Sequence, residues 1–165
     1  MAIDTLQRLL LFAILTLAQI LVLNRIELFH CAMPLLYVYF AITFHRNYPK
    51  WAALLWSFAL GLTMDTFTNT PGVAAASMTL IGVLQPYLLE VFLPRDAEPD
   101  MKVSTVTLGY WKFVLFALLL TLLFCTVFFS LQAFRLYDWQ HLLLCIGSST
   151  LLTLILMMAL EGVKR

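Results

Sequence analysis

Residues 51–92 read WAALLWSFALGLTMDTFTNTPGVAAASMTLIGVLQPYLLEVF. Two apolar runs, 51–64 and 73–92, flank a short polar link. In the first run Ala53, Ser57, Gly61 and Asp65 recur every four residues, which places them on one helix stripe, small along its length and ending in a carboxylate. In the second run Ala74, Met78, Gly82, Pro86 and Glu90 repeat the same interval, with Ala75 and Thr79 beside them. Small residues let helices in lipid approach closely, so that dispersion and weak Cα–H contacts accumulate. Pro71 followed by Gly72 favours a type II turn. The stretch therefore predicts a tight antiparallel helical hairpin, with a kink at Pro86.

The rest of the chain has the same character. Of its 165 residues 62% are apolar and 12% charged, about half the charge of an ordinary soluble domain. A formal net charge of +1 gives no broad basic surface for nucleic acid and no acidic tail. A helix needs roughly 20 apolar residues to cross the hydrocarbon core. Six runs approach that length: 6–23, 27–44, 51–64, 73–92, 106–129 and 139–160. Span 27–44 is the least regular, because Glu27 and His30 sit near its start and Pro34 lies in its first turns. The first run has no small-x-small cleavage site after it and reads as a retained helix rather than a signal peptide. The expectation is one all-α integral membrane domain over residues 1–165, a compact bundle of about six transmembrane helices.

Basic residues orient the bundle. With six spans and both termini on one side, that side receives Arg8, Arg46, Lys50, Arg95, Lys102, Lys112, Lys164 and Arg165, and the other receives Arg25 and Arg135. Eight against two puts both termini in the cytoplasm. Tyr48, Trp51, Tyr110, Trp111, Tyr137 and Trp139 stand near span ends, where interfacial rings are expected. The longest connection, 93–105, is charged and proline-broken and reads as a surface loop.

Few residues offer chemistry. Cys31, Cys125 and Cys145 form no C-x-x-C pair and read as buried thiols. His30, His45 and His141 share no metal spacing. Glu27 and His30 lie on one helix face but are too few to hold a metal. Ser130, Ser148 and Ser149 read as isolated hydroxyls bonding carbonyls of their own helices, and Gly147-Ser148-Ser149 as a close-packing patch. There is no P-loop, H-E-x-x-H or G-x-S-x-G sequence. Asp65 has two readings. It can hold a partner helix, a cation or a proton, or it can cap the Thr-Asn-Thr turn beside it; its place near the turn favours the cap. Glu90, with Arg95 nearby, reads as a solvated or paired end residue. The two carboxylates fall near opposite leaflets, so they make no catalytic dyad. No cofactor or metal is expected.

The run 56–67, WSFALGLTMDTF, followed by 71–78, PGVAAASM, resembles the rod shape-determining protein MreD family. That family shows a Gly, an Asp four residues on, a short polar turn, a Gly and a small-residue helix; here Gly61, Asp65, Pro71 and Gly72 match. The resemblance extends to Gln19 and Pro34 and covers the motif region 19–90. It implies a multi-pass protein of the bacterial cytoplasmic membrane, without enzymatic activity, that works in cell-wall elongation. Its implied partners are the one-span protein MreC, the actin-like MreB, a SEDS-type glycosyltransferase and its transpeptidase. The hairpin, with Ser57, Gly61, Asp65, Pro71, Gly72, Ala75 and Gly82, is the surface expected to receive a helix of MreC. MreD proteins are similar in fold to the S components of energy-coupling-factor vitamin transporters, so a solute-binding transport subunit is the alternative. An intramembrane enzyme would need a reactive pair at one depth, and the sequence shows none.

Overall fold

The computed structural model describes residues 2–25, 33–93, 101, 103–132 and 138–163. The secondary structure of the described residues is helical: α1 (Ala2–Leu21), α2 (Val38–Ile42), α3 (Lys50–Thr68), α4 (Val73–Phe92), α5 (Thr105–Leu108), α6 (Tyr110–Gln132) and α7 (Trp139–Val163), with a 3-10 turn at Leu23–Arg25. Three of them, α4, α6 and α7, are long and apolar enough to cross a membrane, and α1 carries the shorter apolar stretch Thr5–Leu21. Large apolar side chains also face outward along the helices, among them Leu10, Leu17, Leu55, Leu119, Leu144 and Ile155. In water such a belt would be a liability; in lipid it is the ordinary surface. The chain is an all-α membrane protein.

Helix bounds follow local chemistry. Helix α4 spans 73–92 as read from sequence, and it continues through Pro86. Helix α3 runs four residues past the expected end, to Thr68, because Asn69 adopts the left-handed conformation (φ 55°) that closes a helix. Gly109, at φ 86°, divides the expected fifth span into the single turn α5 and the long α6. Arg8 of α1 lies with its guanidinium carbon 3.9 Å from the centre of the Tyr48 ring and 4.9 Å from that of Phe44, and its Nη2 is 2.9 Å from His45 Nδ1. These contacts pin the start of α1 to the 44–48 connection.

The expectation of a helix over 27–44 is corrected. Residues 26–32, with Glu27, His30 and Cys31, lie outside the described residues. Beyond them, Met33–Tyr37 is not helical, and α2 is only five residues long, about 8 Å at the helical rise per residue. Pro34 accounts for part of the break, since it has no N–H and disfavours helix at the residue before it. The segment is nonetheless the centre of the bundle. Leu35–Ile42 is buried, and Val38, Phe40, Ala41 and Ile42 expose nothing. Around it pack Phe12 and Trp56 against Phe40, and Phe124 edge-on against Tyr37. Irregular backbone survives in such surroundings only when its polar groups find partners within the protein.

Those partners are side chains of α1 and α7. Gln19 reaches the segment twice: its Nε2 donates to the Pro34 carbonyl (2.7 Å) and its Oε1 accepts the Leu36 N–H (3.0 Å). Ser149 Oγ accepts the Met33 N–H (3.1 Å), and Thr153 Oγ1 accepts the Leu35 N–H (3.0 Å). Ser149 thus does more than its expected role: its hydroxyl oxygen also accepts from a segment far away in the chain. Thr153 donates to the Ser149 carbonyl (2.6 Å) while it accepts from Leu35. In the Gly147-Ser148-Ser149 patch only Ser149 is buried; Gly147 and Ser148 are exposed, and nothing lies within 4 Å of a Cβ placed on Gly147.

Candidate functional site: the α3–α4 hairpin and its groove

The hairpin forms as its spacing predicts. A Cβ on Gly61 would lie 2.6 Å from Ala75 Cα and 2.7 Å from the Ala74 carbonyl oxygen, so only glycine permits this crossing. About one turn back along α3 from Gly61, Ser57 Oγ would lie 2.9 Å from a Cβ placed on Gly82. Ser57 is fully buried there, and its hydroxyl has no hydrogen-bond partner among the described residues. The link closes as a type II turn over Thr70–Val73: the Val73 N–H donates to the Thr70 carbonyl (3.3 Å), and Gly72 takes φ 83°, ψ −8°.

Asp65 locks the turn to α4. Its Oδ1 accepts the Ala74 N–H (2.8 Å) and the Thr70 hydroxyl (3.0 Å), and its Oδ2 accepts the Ala75 N–H (2.9 Å). The capping role is therefore real but aimed differently from the expected one. The backbone donors belong to the first turn of α4, not to the Thr-Asn-Thr turn. The residue at the N-cap of α4 is Gly72, which has no side chain to offer, so a residue of the previous helix does the work of Ser or Asp at that position. A carboxylate in the last turn of α3 opposes the dipole of its own helix. The amino end of α4 offsets that cost.

Above the crossing lies an open groove of about 660 Å³, lined by Phe58, Leu62, Asp65, Thr66, Asn69, Pro71, Gly72, Ala75 and Ala76. Of the seven residues singled out from sequence, Asp65, Pro71, Gly72 and Ala75 line it. Ser57, Gly61 and Gly82 do not. They are enclosed between α3 and α4, where they pack the hairpin from within. The sequence reading missed Phe58, Leu62 and Ala76. The first two sit one position along from the Ser57/Gly61 pair, so the same four-residue interval traces the wall of the groove.

A second constellation was not read from sequence at all. On α7, Ser149, Thr153, Met157 and Glu161 recur every four residues and are all buried. Ser149 and Thr153 hold the 33–35 backbone, and Thr121 Oγ1 lies 3.9 Å from Met157 Sδ. Glu161 accepts the Tyr39 hydroxyl (2.6 Å) at Oε2, and the Ser104 hydroxyl (2.5 Å) and Thr105 N–H (3.1 Å) at Oε1. Ser104 is the N-cap of α5, in a capping box with Thr107. One carboxylate thus ties α7 to α2 and to the start of α5.

Glu90 is exposed near the end of α4, and Arg95 is outside the described residues. His141 Nδ1 lies 3.5 Å from Cys145 Sγ on the same helix. Among the described residues no group of three His, Cys, Asp or Glu side chains is placed to hold a metal ion. Compared with family models, curated proteins and solved structures, the chain matches none.

Proposed function

We propose that this protein is a non-enzymatic scaffold of the bacterial cytoplasmic membrane, of the MreD type. In this reading it crosses the bilayer six times, with the broken 27–44 segment as the second span and both termini in the cytoplasm. It serves cell-wall elongation by receiving the transmembrane helix of MreC, alongside MreB, a SEDS glycosyltransferase and its transpeptidase. The observation that carries the reading is the groove on the α3–α4 hairpin. Its floor is of small residues (Gly72, Ala75, Ala76), its walls are bulky (Phe58, Leu62), and the hairpin beneath is held by the Gly61 crossing and the Asp65 cap. Small floors between apolar walls suit a helix ridge in lipid, where packing rather than hydrophobicity drives association.

Co-purification with the MreC of the same organism tests the proposal. Ala76→Trp fills the groove without touching the hairpin's buried face; it should abolish capture while leaving the melting temperature of the isolated protein unchanged. Undiminished capture would remove the groove as the docking surface.

A solute-binding transport subunit, with a bundle like that of an S component, finds support in one observation, the broken buried segment, since discontinuous helices line substrate sites in many transporters. Against it, the backbone groups freed at Met33–Leu36 are engaged by Gln19, Ser149 and Thr153. A thermal-shift screen against vitamins decides this reading: marked stabilisation by any one of them would favour transport over scaffolding.

A further inference from the structure

Asp65 is more than a cap, because it also lines the groove. Asp65 is 7% exposed and sits among apolar and uncharged residues; among the described residues no Lys, Arg or His lines the groove with it. Its hydrogen bonds are unevenly shared. Oδ1 accepts two, from Ala74 and Thr70, whereas Oδ2 accepts one, from Ala75. A carboxylate oxygen accommodates two donors, so Oδ2 retains an acceptor position. Beside it stand two further acceptors on exposed residues. Thr66 Oγ1 donates to its own helix at the Thr63 carbonyl (2.6 Å) and keeps its lone pairs, and Asn69 carries a side-chain amide.

We infer that the helix received by this groove carries an arginine or lysine at its outer end, which pairs with Asp65 across the interface. The inference rests on the docking reading above and adds the chemistry of the partner to it. A negative, acceptor-rich spot in an otherwise apolar groove is matched by a donor-rich cation. Near the headgroups the long stem of such a residue can lie along Leu62 and Phe58 while its charged end reaches Oδ2. Arginine fits better than lysine, because its planar fork can engage the carboxylate and a neighbouring acceptor together. Discrimination follows from the same geometry: a helix with Asp or Glu at that level meets like charge and is rejected.

The test places a competing cation in the groove without disturbing the cap. Thr66 is exposed and makes a hydrogen bond within its own helix, so Thr66→Lys puts a cation into the groove that Asp65 also lines and leaves the Ala74 and Ala75 bonds in place. Capture of full-length MreC by Thr66→Lys should fall about tenfold relative to Thr66→Gln, since like charges would then face each other. Capture by the unmodified protein should weaken as salt is raised. On the partner side, replacing an arginine or lysine at the outer end of the MreC span by Gln should reproduce the loss, a variant that leaves this chain's folding untouched, and a span with no such residue contradicts the inference. If Thr66→Lys and Thr66→Gln capture equally while Ala76→Trp blocks capture, the groove is the dock and the cation inference is overturned. If Ala76→Trp has no effect either, the docking reading falls with it.

Discussion

The α3–α4 hairpin and the α7 seam are built on the same pattern and used in opposite ways. Each presents a stripe at four-residue spacing: Ala53, Ser57, Gly61 and Asp65 on α3; Ser149, Thr153, Met157 and Glu161 on α7. Each stripe ends in a buried carboxylate near the carboxyl end of its own helix, and each carboxylate takes backbone N–H donors from the start of another helix. The α3 stripe is small and faces an intact helix; its work is close approach. The α7 stripe is polar and faces a broken chain; its work is to satisfy the backbone that the break sets free. In lipid, where apolar surface does not distinguish a helix's faces, small stripes select helices as neighbours, and hydroxyl stripes select irregular backbone.

The comparison is most sharply strained at Gly61. Gly61→Leu should destabilise the protein by about 3 kcal/mol, because the colliding atoms are backbone and cannot swing aside. Thermal unfolding in detergent reads the effect, and a loss below about 1 kcal/mol would mean that the helices are not in contact there. The two carboxylates come next. Asp65→Leu and Glu161→Leu should each cost about 2 kcal/mol, the cost of stranding donors that a charged acceptor held. Asp65→Asn, which keeps an acceptor for one N–H, should cost about half as much. Smaller still, Gln19→Leu and Thr153→Val should each cost about 1 kcal/mol. Their double variant should depart from additivity, because both support the same short segment, Pro34–Leu36. A thiol placed at Leu35 should then become reactive to maleimide, whereas it stays protected in the parent. The smallest effect has the opposite sign. Ser57→Ala removes a buried hydroxyl that has no partner among the described residues, so stability should rise by up to about 1 kcal/mol.

The hairpin was legible because its determinants are local. Pro71-Gly72 dictates a turn type, Gly61 marks an approach, and both helices lie within one continuous stretch of sequence, residues 50–92. The direction of the Asp65 cap was less so, since the donors it finds are nine and ten residues away, on the next helix. The second span misled because its composition is that of a membrane helix while its backbone is not. Pro34 announced a disturbance, but the groups that allow chain to remain unwound in the core lie 116 and 118 residues away on α7, and at Gln19 on α1. Such a break becomes affordable only when the partners are in place, and a linear reading sees those partners as unrelated hydroxyls. Ser149, Thr153 and Glu161 were nonetheless visible as a stripe, and the interval that exposed the α3 face would have exposed theirs.

The most direct test of the two-lock account is site-resolved amide hydrogen exchange on three forms of the protein: unmodified, Asp65→Leu and Glu161→Leu. The account predicts that Asp65→Leu strips protection from the Ala74 and Ala75 amides and leaves Thr105 as it was. Glu161→Leu should do the reverse. Equal loss at all three amides in both variants, or no loss in either, would contradict it.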